Sequence, residues 1–148
     1  SLSEDPGVPV ITNRDRYTVH STDPLCGSCH QSIDGIGFGF EHYDAIGAWR
    51  DLDNGVPVDA TGSFNDVDLS GVPYDGALEM SQLLAGSESV HRCSVTQWYR
   101  YALGRTEALG DTPTLDALAT AYWGTGGELP QLLVDLVRTD SFRTRRAE

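Results

Sequence analysis

The chain is 148 residues long, 39% apolar and 22% charged, a balance that suits one folded domain with a modest core and gives no sign of disorder. Its net charge of −12 disfavours nucleic acid and anionic membranes as partners, and because all ten basic residues are arginine, Schiff-base chemistry and a phosphate-loop lysine are excluded. No apolar run approaches the roughly 20 residues that a membrane-spanning helix needs, so membrane insertion is not expected.

Residues 1–13 ("SLSEDPGVPVITN") carry two prolines and no usable period, and read as an extended lead-in. The start at Ser1, without an initiator Met or a signal-peptide pattern, suggests a piece of something longer. Residues 14–25 bring Arg14, Arg16, His20 and a Pro24 turn up to the first cysteine. Residues 51–75 are rich in Asp, Gly, Val and Pro, with "DNG" as a tight-turn signal, and predict loops with at most a short β-ribbon. Beyond residue 75 the pattern becomes helical. Ser87 is a candidate cap for a helix to about Leu103, with Val90, Cys93, Trp98, Tyr101 and Ala102 among its less polar positions and Gly104 as its stop. Pro113 opens a second helix with Leu115, Leu118 and Tyr122 on one side, halted by the "GTGG" beginning at Gly124. Leu129, Leu132, Leu133, Leu136 and Val137 then follow the i, i+3, i+4, i+7, i+8 spacing of a buried stripe. The expected fold is a mainly α single domain over 1–148, with an irregular, acidic half at 1–75 and a small helical bundle at 76–148. Residues 1–80 hold 14 acids against Arg14, Arg16 and Arg50, a net −11, whereas residues 81–148 are near balance at −1.

The chemistry concentrates in "CGSCHQSIDGIGFGFEHYDAIGAWR", residues 26–50. Cys26, Cys29 and His30 form C-x-x-C-H. Two thiols three residues apart on one helical turn can add to the two vinyl groups of a haem, which places the next histidine under the iron as proximal ligand. Three rival readings compete. A thioredoxin-like dithiol needs a βαβ context that the glycine-rich continuation does not supply. Structural zinc needs four donors, which Cys26, Cys29, Cys93 and one histidine could provide. A disulfide between Cys26 and Cys29 would be strained. One covalent haem c is the expectation the motif favours.

The stretch "RDRYTVHSTDPLCGSCHQSIDGIGFGFEHYDAIGAWR" resembles the haem-binding segment of large secreted bacterial proteins of the planctomycete and myxobacterial cytochrome c type, where it closes the domain of unknown function 1588. "CSVTQWYRYALGR" and "LLVDLVRTDSFRTRR" resemble the partner domain 1585 that follows it. Gly35 stands where that family usually has proline, a change expected to loosen a turn and leave haem attachment untouched.

For the second axial ligand, spacing alone leaves His20, His42, Met80, His91 and Cys93 open. The resemblance points to His20, which matches a family histidine six residues before the first cysteine in the lead-in that contains Arg14 and Arg16. Ten residues separate it from His30, and an extended chain of that length reaches about 33 Å, enough to pass from one face of a haem to the other. Met80, the only methionine, is the alternative, although the family usually has leucine there and Met80 also reads as core filling beside Leu83 and Leu84. His42 and His91 read as surface histidines and Cys93 as a buried free thiol. Gly35, Gly37 and Gly39 are expected to let the backbone approach the porphyrin and adopt positive φ where needed. Phe38 and Phe40 would wall the pocket, with Ile36, Ile46 and Trp49 completing it, and Arg50 and Arg105 are candidates to pair with the propionates.

A covalently held, six-coordinate haem changes oxidation state without binding substrate, so the expected role is one-electron transfer rather than catalysis. The acidic surface would recruit a basic redox partner. Two alternatives stand beside it: a haem enzyme or gas-binding domain with an open distal site, and a structural module that self-assembles to stack haems. Covalent haem is attached outside the bacterial cytoplasm, and the resemblance likewise implies secreted proteins, so a periplasmic, cell-surface or extracellular location is expected.

Overall fold

A computed structural model describes residues 12–65 and 67–144 and divides the chain into two compact units, Ser1–Leu84 and Ala85–Glu148. Most of the lead-in expected at 1–13 lies outside the described residues. The described chain is mainly α-helical with two short antiparallel ribbons, which is the fold class expected.

The first unit opens with helices α1 (Asn13–Thr22) and α2 (Gly27–Gly37). Sequence reasoning had no helix at 14–25, yet α1 has a complete capping box. The Thr12 hydroxyl accepts from the Asp15 amide at 3.1 Å, and the Asp15 carboxylate accepts from the Thr12 amide at 2.9 Å. Helix α2 runs through Gly35 and Gly37, followed by a 3-10 turn at Phe38–Phe40. Positive φ was expected at Gly35, Gly37 and Gly39 only where needed, and none of the three has it, because helical backbone has no use for it. The same fact removes the turn that Gly35 was expected to loosen, since Gly35 lies inside a helix. Two of these glycines instead permit close packing. A Cβ on Gly35 would lie 2.7 Å from the Ser63 carbonyl oxygen, and one on Gly39 would lie 2.9 Å from Met80 Sδ and 3.0 Å from the Tyr74 ring.

The acidic loop region contains the expected ribbon, in two parts. Strands β1 (Leu52–Asp53) and β2 (Val56–Pro57) join through Asn54 and Gly55, whose φ values of 49° and 83° suit a tight hairpin turn. Strand β3 (Thr61–Ser63) pairs with β4 (Pro73–Asp75), placing Gly62 opposite Tyr74, and α3 (Gly76–Ala85) follows. Phe64, Tyr74 and Met80 are buried together, with Leu69, Val72, Leu83 and Leu84 packed around them. A methyl group on Gly62 would meet the Tyr74 hydroxyl and lie 2.5 Å from the Gly35 carbonyl oxygen. Gly62→Ala is therefore expected to destabilise this unit by about 1–3 kcal/mol, read by thermal denaturation. Stability equal to the parent's would show that α2 and β3 have slack between them.

The second unit packs α4 (Glu88–Leu103), α5 (Thr112–Gly124), α6 (Leu129–Arg138) and the short α7 (Asp140–Arg143). The expected boundaries hold. Ser87 Oγ caps α4 by accepting from the Val90 amide, Gly104 ends it at φ 64°, and Pro113 sits in the first turn of α5. Val95, Tyr99, Leu115, Leu118, Leu132 and Leu136 form the core. Leu132 and Leu136 alone carry the burial of α6, with Leu129, Leu133 and Val137 partly exposed. Two expectations on α4 are reversed. Cys93 is exposed and His91 is buried, because the inward stripe of α4 runs through His91, Val95 and Tyr99 and leaves Cys93 on the opposite side. His91 Nδ1 contacts the Ser87 carbonyl oxygen at 2.8 Å, and its ring packs against Tyr122 and Trp123.

Candidate functional site

The C-x-x-C-H motif occupies the first turn of α2. Asp23 prepares it: its Oδ1 accepts from the Leu25 amide at 2.8 Å and from the Cys26 amide at 3.1 Å, fixing the chain between the two helices. These amides hold the Asp23 carboxyl below its ordinary pKa. Cys26 is the N-cap residue, and its carbonyl oxygen accepts from the Cys29 and His30 amides at 3.3 and 3.2 Å. All three reactive side chains thus project from one helical turn. Both cysteines are free thiols, Cys26 half-buried and Cys29 exposed. Burial, and then the neighbouring Asp23 carboxylate, push the Cys26 thiol up, favouring its neutral form.

His20 lies in the last turn of α1, and the 23–26 connection folds back so that its ring meets that of His30. The centroids are 4.3 Å apart and the rings are nearly perpendicular at 85°. The nine intervening residues fold into helix, turn and helix rather than an extended strap, and this is what draws the two imidazoles together. His30 Nδ1 lies 3.2 Å from Asp34 Oδ1, one helical turn on. A carboxylate there can only accept, so Nδ1 is the donor of this pair and Nε2 is the nitrogen left to face a metal. Asp34 is itself buried, and Ser21 Oγ hydrogen-bonds its other oxygen. Neither Asp34 nor Ser21 was singled out from the sequence. The signal available was the i, i+4 spacing of His30 and Asp34, which puts both on one helix face.

The other expected site residues are placed as follows. Phe38 lies under the Arg14 guanidinium, 4.2 Å from the ring centroid, and Phe40 is half exposed. Trp49 is 60% exposed, stacks on His42 at 4.3 Å with the planes 2° apart, and donates from Nε1 to Asp51. Arg50 is taken up within the protein: Nη2 pairs with Glu41 at 2.9 Å, Nη1 with Asp53 at 2.8 Å, and Nε donates to the Glu41 carbonyl oxygen. In the second unit, Arg105 is held by both oxygens of Asp111 at 2.6 and 3.0 Å. The two arginines expected at the propionates are thus engaged with the chain's own carboxylates. Met80 is 2% exposed in the core of the first unit. Of the residues expected in the site, the structure brings together Cys26, Cys29, His30 and His20.

Residues 2–53 match the family described as a protein of unknown function, DUF1588, and residues 70–142 match the family described as a protein of unknown function, DUF1585. The two matches follow one another along the chain and together cover most of it. Both families are cytochrome c-associated, and both are those that the sequence resemblance indicated. No curated protein and no solved structure gives a significant match. The DUF1588 segment contains the whole constellation of His20, Ser21, Cys26, Cys29, His30 and Asp34, while the DUF1585 segment covers α3 to α6 and most of α7.

The donor set of the DUF1588 segment fits a haem. Two thiols outside any disulfide and an imidazole held through its Nδ1 share one turn. The stripe that begins at Cys29 continues one and two turns on through Ile33 and Ile36, both exposed, and Leu25 beside it is 86% exposed, so an apolar surface borders the thiols. Among the described residues no three Cys, His, Asp or Glu side chains gather as a cage for a bare metal ion. The arrangement suits a macrocycle that brings four of its own nitrogens better than it suits zinc, which needs all its ligands from the protein.

Proposed function

We propose that the chain is an electron-transfer module carrying one covalent haem c on Cys26 and Cys29, with His30 as proximal ligand and His20 as distal ligand. The observation that carries this reading is the contact of the His20 and His30 rings beside two free thiols on the first turn of α2. When bound, the haem supplies a one-electron iron couple. Around it the protein anchors the ring edge through two thioethers, orients His30 through Asp34 and brings His20 to the same place. Burial of Met80 in the Phe64 and Tyr74 cluster favours His20 over Met80 as distal ligand.

With His30 and His20 both holding the iron, no position for substrate would remain, so the module would exchange electrons rather than catalyse. Its partner is a basic redox protein attracted by the −11 balance of residues 1–80. It works as part of a larger secreted protein in the periplasm, at the cell surface or outside the cell, where haem is attached to such motifs. Among the described residues no helix is long and apolar enough to cross a membrane.

An absorption spectrum of the reduced protein, produced with a haem-attachment system and recorded before and after carbon monoxide, tests this reading. Sharp low-spin α and β bands unmoved by the gas are expected, with carbon monoxide binding appearing in His20→Ala. A large shift in the unaltered protein would mean an open distal site and a gas-binding or catalytic role. Absence of any haem band would overturn the reading.

A further inference from the structure

We infer that Asp34 and Ser21 form a relay behind the proximal histidine that sets the reduction potential of the haem, an inference that rests on the haem-binding reading above. Helix α2 places the Asp34 carboxylate one turn after His30, where Oδ1 accepts from Nδ1 at 3.2 Å. Asp34 is buried, so this contact is shielded from water and screened little by salt. Its other oxygen meets Ser21 Oγ, a residue of α1 adjacent to His20. The relay thus links the two helices that present the two axial histidines.

A metal-bound imidazole that donates its second N–H to a carboxylate becomes a stronger electron donor to the metal, and the oxidised ion gains more from that than the reduced one. Asp34 therefore stabilises the ferric state and lowers the potential. It touches neither haem nor iron and acts through His30, as a positioning residue. Ser21 modulates it with the opposite sign. A hydroxyl donating to Asp34 Oδ2 withdraws electron density from the carboxylate and weakens its hold on the His30 proton. The Ser21 oxygen also lies 2.9 Å from the Tyr17 carbonyl oxygen, so its single proton has two acceptors, and the charged one is the stronger.

The test is a spectroelectrochemical titration of the haem-loaded protein and two variants, with covalent haem verified on denatured chains. Asp34→Asn keeps the size of the side chain and an oxygen that can accept, but removes the charge. It is expected to shift the ferrous-to-ferric ratio at a fixed poise about tenfold toward ferrous, the lower end for loss of such a partner, equal to about 59 mV upward for one electron. Ser21→Ala retains the charge and frees the carboxylate, and is expected to move the potential downward by less than that. The opposite signs separate the relay from a merely structural role, which would move both variants the same way or neither. An unmoved potential in haem-loaded Asp34→Asn, or movement of both variants in one direction, would overturn the relay while leaving haem binding intact. Lack of haem in the unaltered chain would overturn the parent reading and the relay with it.

Discussion

The Cys26→Ala, Cys29→Ala double variant, produced with a haem-attachment system, is expected to carry no covalent haem. Each thioether forms by adding a thiol S–H across one vinyl double bond: sulfur bonds to one vinyl carbon, hydrogen to the other, and nothing leaves. Two such bonds depend on both sulfurs rising from one turn, which the Cys26 carbonyl fixes by accepting from the Cys29 and His30 amides. The effect is all or none. The denatured double variant should show no haem stain on a gel and the mass of the bare polypeptide, whereas each single variant retains one attachment point. Haem that stayed on the denatured double variant would remove both cysteines from the assignment.

Asp111→Ala is expected to produce a large loss of stability in the second unit. Asp111 is 3% exposed and accepts from Arg105 through both oxygens, from the Tyr99 hydroxyl at 2.8 Å and from the Ala108 amide at 2.8 Å. Its removal leaves the buried Tyr99 hydroxyl and the Ala108 amide without that acceptor and Arg105 without its partner. Breaking a buried ion pair costs about 3–5 kcal/mol, and because Arg105 is partly exposed the lower end, about 3 kcal/mol, applies. For a unit of this size that is a fall in melting temperature on the order of 15 °C, readable by circular dichroism. The same carboxylate makes the unit acid-sensitive. Hydrogen bonds from Arg105, and then from the Ala108 amide, hold the Asp111 carboxyl well below its ordinary range, and Arg100 holds Glu107 at about 2. Folded values below the unfolded ones give stability that is complete above about pH 4 and is lost as pH falls through about 2. The parent's melting temperature should therefore drop over that interval, and that of Asp111→Ala should drop less steeply. Equal slopes would show that Asp111 contributes nothing to the acid transition.

The second unit was the more legible half because its signals are local. Ser87, Gly104 and Pro113 mark helix ends within a few residues and the structure follows them, and the leucine spacing locates α6, although only Leu132 and Leu136 of its expected stripe are buried. Cys93 and His91 were misread because which side of α4 turns inward is decided by α5 and α6, not by the polarity of α4 itself. In the first unit the C-x-x-C-H motif was legible because its spacing is local and lies within one helical turn. The helix before it was not, although Thr12 and Asp15 signal a capping box, because no apolar periodicity supports a helix in that stretch. The glycines at 35 and 39 were recognised as places of close approach. What approaches them is another part of the chain, Ser63 at one and Met80 with Tyr74 at the other, a non-local fact that no window of sequence contains. The same holds for the carboxylates that take up Arg50 and Arg105: Glu41 and Asp111 are near in sequence, but their burial comes from the tertiary fold.

The seat of Met80 bears on how long such a protein lasts. A thioether is readily oxidised by peroxide, and its sulfoxide is larger and polar. Met80 Sδ lies against Gly39 and the Tyr74 ring with 2% of the residue reachable by solvent, so the added oxygen has neither an approach nor a space. If the chain carries a haem outside the cytoplasm, as proposed, it would meet such oxidants throughout its life. Here the chain's one methionine is sealed in, and wear of that kind falls first on groups outside the core.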